Sequence, residues 1–120
     1  MTDLTLLPSE VQRLRHLAML ELKAADQAEA TARTIPLEPP SPQCCLRTLY
    51  LHLAFERRRV ARALLLDALH KLEMAALQVP KAETAFRLGA RSILSQLDAI
   101  AAASSPVRAS IAASEAAILH

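Results

Sequence analysis

The residues best equipped for chemistry lie between Cys44 and His70. His52 and Glu56 stand at i,i+4, and Asp67 and His70 at i,i+3, so each pair shares one face of a helix. Carboxylate–histidine pairs at such spacings hold the metals of di-iron helical bundles. On a continuous helix, however, His52 and His70 are about 27 Å apart and cannot share an ion. Glu115 and His120 are spaced wrongly to complete either set. Both pairs therefore read as helix-surface or interhelical hydrogen bonds, and neither a metal nor a cofactor is expected. Cys44 and Cys45 are placed in the first turn of a helix, where thiols in general are activated. Neighbouring cysteines cannot bridge each other without strain, and one of the two should face the core. Gly-rich phosphate loops are absent, since the chain has a single glycine.

Arg57, Arg58, Arg59 and Arg62 form the densest charge cluster. At 100° per residue, consecutive positions point three ways: Arg57 onto one apolar face, Arg58 and Arg62 to the edge of a second, and Arg59 onto a polar stripe beside Glu56. Such a scatter suits arginine stems lying over apolar surface with their heads reaching acids, for which Glu21, Asp26 and Glu29 are available. Nucleic-acid binding would call for interleaved aromatics, and aromatics are only 2% of the chain.

Arg47-Thr48-Leu49-Tyr50-Leu51-His52 has the form Arg-x4-His. This six-residue stretch, together with an all-helical architecture, resembles the ribonuclease motif of the HEPN family, small helical bundles that cut RNA as dimers. The resemblance implies Arg47 and His52 as the catalytic candidates. No other catalytic residue is read from the sequence.

These residues depend on helices to place them. The chain has 120 residues, 52% of them hydrophobic, with Ala and Leu carrying that share. The scarcity of Gly, aromatic and β-branched residues leaves little material for sheets, so the fold class is all-α. The prolines punctuate it. Pro8, Pro42, Pro80 and Pro106 read as helix starts, while Pro36, Pro39 and Pro40 stiffen a linker. The expected fold is a single domain over residues 1–120: a four-helix antiparallel bundle with helices at about 9–34, 42–79, 80–103 and 105–119 and a Pro-rich linker at 35–42.

Ser9 and Gln12 have capping-box spacing, and Ser41 is placed to cap the second helix. Val11, Leu14, Ala18, Leu22, Ala25, Ala28 and Ala32 give the first helix its core stripe, and Ala82, Phe86, Gly89, Ile93, Leu97 and Ile100 the third. Val107, Ile111 and Ile118 face inward from the fourth. The long second helix has two apolar faces, one of Leu46, Leu49, Leu53, Val60, Leu64 and Ala68, the other of Leu51, Phe55, Leu65, Leu66, Leu69 and Leu77. A helix apolar nearly all round must be covered nearly all round.

That excess predicts self-association as a homodimer, with an interface of Leu51, Phe55, Arg58, Arg62, Leu65, Leu66 and Leu69. The functional expectation is a non-enzymatic interaction or regulatory module that also binds a protein partner. The alternatives are a nucleic-acid-associated regulator using the Arg57–Arg62 cluster and the ribonuclease of the Arg47/His52 motif. A net charge of +2 implies neither nucleic acid nor membrane by itself. No apolar run approaches bilayer-spanning length, and the N-terminus lacks a signal-peptide layout, so a cytoplasmic location is expected. Eleven arginines against three lysines, with abundant alanine, fit a GC-rich bacterial genome.

Overall fold

A computed structural model describes residues 8–36, 42–79, 81 and 83–119, except for the side chains of 42–44 and 117–119. Pro39, Pro40, Ser41, Pro80, Ala82 and His120, and the side chains of Cys44 and Ile118, lie outside the described residues. Among the described residues three helices carry the fold: α1 (Ser9–Arg33), α2 (Pro42–Gln78) and α3 (Glu83–Leu119). The four-helix division is thereby corrected to a three-helix, all-α fold. The expected third and fourth helices are one, because the helix runs through Ser105-Pro106 instead of restarting there.

Proline inside a helix removes a hydrogen bond and crowds the preceding turn, at a cost of about 3 kcal/mol. Packing on the far side offsets it. Val107 and Ser114 are both buried, and Ser114 Oγ shares a 2.7 Å hydrogen bond with Thr48 Oγ1 of α2. One prediction follows directly. Pro106→Ala should raise stability by about 1–3 kcal/mol in chemical unfolding, since the restored N–H completes a helix already formed. A less stable variant would mean that the helix needs its proline.

The same three-four spacing builds the core in all three helices. In α2 the inward seam is Leu51, Ala54, Arg58, Ala61, Leu65, Ala68 and Leu72, all buried. In α1 it is Val11, Leu14, Ala18, Ala25, Ala28 and Ala32. Phe86, Gly89, Ile93, Ile100, Val107 and Ser114 give the equivalent line in α3. Steps of three and four residues keep one stripe facing a partner helix, as in coiled coils. Alanine and glycine on that stripe let backbones approach toward the short end of the ~8–10 Å range of helix pairs. The result is a rod of 61 × 19 × 15 Å, consistent with two helices of about 55 Å.

Core clusters fix the directions. Val11 and Leu14 at the start of α1 join a cluster containing Leu72 from the end of α2 and Phe86 from the start of α3. At the other end, Ala32 packs with Leu51 and Val107. The path is up, down, up, with α2 in the middle. All of the stripe expected in the first helix is buried, apart from Leu22, which is half-buried. In α3, Phe86, Gly89, Ile93, Ile100 and Val107 are buried, and Leu97 and Ile111 half-buried.

The ends of α1 are held differently from expectation. Pro8 occupies the N-cap without a side-chain cap bond, and Ser9 is already helical, so the Ser9–Gln12 box is not what starts the helix. Glu10 accepts a 2.9 Å hydrogen bond from Arg13, which holds its carboxyl below the usual carboxylate range near the positive end of the helix. At the C-terminus, Arg47 Nη1 donates to the Ala32 and Ile35 carbonyls at 2.9 and 3.0 Å. A cation from α2 thus adds a charged donor at the negative end of α1, where the Ala32 carbonyl also accepts from the Ile35 N–H at 3.1 Å.

Candidate functional site: an arginine-lined groove and an outward apolar seam

The arginine cluster is divided between two sides of α2. Arg57 turns to α1, where Nη1 meets Glu21 Oε2 at 3.0 Å. Arg58 occupies an inward seam position and is buried, its side chain 3% exposed. Its Nη2 donates to Asp26 Oδ1 at 2.9 Å and to Glu29 Oε2 at 3.0 Å. The acids of the first helix are therefore the partners of Arg57 and Arg58. The other amino nitrogen of Arg58, Nη1, is buried with no hydrogen-bond partner.

Arg58 stands between two concavities. On the α2–α3 side is a groove of about 560 Å³, walled by Arg58, Arg59, Arg62 and Arg108, with Ser104 and Ser105 along α3 and Phe55 and Ile100 as apolar surface. Arg108 stacks over the Phe55 ring at 5.3 Å. On the α1–α3 side, a cavity of about 190 Å³ is bordered by Asp26, Arg58 and Gln96. The Gln96 Oε1, like Arg58 Nη1, is buried without a partner.

Among the described residues no carboxylate lines the larger groove. Arg59 has Glu56 3.6 Å away on the solvent side. Among the described residues, no acid pairs with Arg62 or Arg108.

The remaining sites predicted from sequence are dispersed. Arg47 is occupied at the C-terminus of α1, while His52 is exposed and bonds Glu115 through Nε2 at 3.0 Å. The Arg-x4-His pair is not assembled into a common site. His52 meets α3 rather than Glu56, and Asp67 lies 3.9 Å from Lys71. Among the described residues no cluster of three or more His, Cys, Asp or Glu could hold a metal. Cys45 is a free, exposed thiol. No helix of the described residues is long and apolar enough to cross a membrane.

The seven residues predicted for an interface separate in the same way. Leu51, Arg58 and Leu65 are turned into the bundle, Phe55 and Leu69 are half-buried, and Arg62 and Leu66 are exposed. The core-facing line of α2 lies between the two apolar faces read from the sequence. That leaves uncovered Leu66 and Leu77 of the second face and much of the first face, where Leu46, Leu49, Leu53 and Val60 are 44%, 63%, 42% and 44% exposed. Their spacing of three, four and seven residues is that of a second helical seam, directed outward. Leu64, lower on the same face, is half-buried against the core.

Compared with known proteins, the chain matches no family model, no curated protein and no solved structure.

Proposed function

We propose that the protein is a non-enzymatic helical interaction module that self-associates through the outward seam of α2. The observation that carries this reading is the line Leu46, Leu49, Leu53 and Val60, each large, apolar and more than 40% exposed. A three-four line of leucines is self-complementary, because the same knobs and holes serve both partners. Leu46 and Val60 are each seven residues from Leu53, so a two-fold axis near Leu53 sets Leu46 of one copy against Val60 of the other. Such a closed, isologous pairing is the commonest way for a chain to associate with itself. The dispersal of Arg47 and His52 favours this reading over a ribonuclease.

Leu49→Lys combined with Leu53→Lys tests it. Both side chains already face solvent, so the fold should keep its stability within about 0.5 kcal/mol. Losing two leucines from the pair interface and placing like charges there should weaken association by roughly a hundredfold or more, read by sedimentation equilibrium. Unchanged association in the double variant would remove α2's outer seam as the interface.

A further inference from the structure

The geometry points to a second property, independent of self-association: the groove between α2 and α3 binds a small ligand carrying a phosphate or pyrophosphate group. Four arginines line one concavity, and among the described residues no carboxylate shares its lining. The charges of Arg58 and Arg59 are offset by acids outside the groove, whereas among the described residues no acid pairs with Arg62 or Arg108. Like charges held together in a partly apolar recess are relieved by an anion, and planar guanidiniums suit phosphate oxygens because they donate in pairs.

Arg58 supplies the second, independent observation. It lines the groove, its side chain is 97% buried (3% exposed), and its Nη1 has donor capacity that the protein leaves unused. A buried donor left without a partner costs about 1–3 kcal/mol, and Arg58 borders the groove as well as the smaller cavity beside Gln96. The Ser105 hydroxyl adds a neutral donor beside the arginines.

Size and charge layout select the class. A groove of about 560 Å³ falls within the range of small-molecule sites, roughly 300–1,000 Å³. A nucleic-acid strand would instead need a basic track with several open aromatic faces. Here Arg57 is turned away to Glu21, and the one ring in the groove is already stacked by Arg108.

Titration calorimetry of the full chain with pyrophosphate, at constant ionic strength, is the test. Saturable binding of one pyrophosphate per chain is expected. The variant carrying Arg62→Gln and Arg108→Gln should bind at least tenfold more weakly while still unfolding cooperatively in the absence of ligand. Because both residues are at the surface, this variant separates lost recognition from lost folding. Three outcomes would overturn the proposal: no saturable heat, equal binding by wild type and variant, or a single-stranded oligonucleotide binding more tightly than pyrophosphate through the same arginines. The Leu49→Lys and Leu53→Lys variant, whose substitutions lie away from the groove, should bind pyrophosphate as wild type does. A failure of self-association is thereby told apart from a failure of the groove.

Discussion

Arg58→Ala should cost about 3 kcal/mol in urea unfolding, one of the two largest losses expected from a single substitution in this chain. The charge of Arg58 is buried on the inward seam and answered by Asp26 and Glu29. Removing the guanidinium leaves the Glu29 carboxylate, 17% exposed, with only Arg33 at 3.3 Å, and opens a void where the arginine stem packed. Breaking a buried pair by deleting one partner costs about 3–5 kcal/mol in general. The lower end applies because Asp26 is 75% exposed and its share of the interaction is screened by water. Arg58→Met keeps most of the stem and loses only the charge, so its loss should be the smaller of the two. Equal losses would assign the whole effect to the charge, and a loss below about 1 kcal/mol for alanine would mean that Arg58 is not held as described.

Leu65→Ala should destabilise by about 2–5 kcal/mol, whereas Leu66→Ala should cost less than about 1 kcal/mol. The two residues are neighbours of the same type, so helix propensity cannot separate them. Burial does: Leu65 is 0% exposed and belongs to the largest core cluster, and Leu66 is 40% exposed. Leu65 faces closely packed alanine-rich helices that cannot easily collapse into a cavity, which is the condition for a large cost. Similar losses at the two sites would mean that the inward seam of α2 has been placed on the wrong side.

The contrast between those leucines also explains what the amino-acid sequence made legible. The all-α character came through because Ala and Leu dominate and the material for sheets is scarce, whereas the division into four helices did not. The core stripe of α1 came through because its polar residues interrupt it cleanly. In α2 large side chains stand on nearly every side, and following leucine alone led to two faces. Burial instead follows a line that includes Ala54, Ala61 and Ala68, and even Arg58. Small residues are the ones a helix can bury at close approach, and they carry little hydrophobic signal. Strict three-four steps from Leu51 to Leu72 would have found the line.

Pro106 misled for a related reason. Proline is a strong breaker locally, yet the three-four pattern from Ile100 through Ala103 to Val107 passes straight across it, and tertiary packing prevailed. Dividing α3 there also hid the groove. Ser104, Ser105 and Arg108 flank the supposed break and join the arginines of α2 only when the helix continues. The pairing of Arg57 and Arg58 with acids of the first helix was legible from charge alone, whereas the unpartnered Nη1 of Arg58 required coordinates.

The outward seam of α2 remains the centre of the functional reading, and sedimentation equilibrium of the unmodified chain over a wide concentration range tests it most directly. The expected result is a reversible rise in mass from the 13.1 kDa of one chain to twice that value, with no larger species, because a two-fold pairing through one seam is closed. A mass that stays at that of a single chain up to the highest soluble concentration would contradict it.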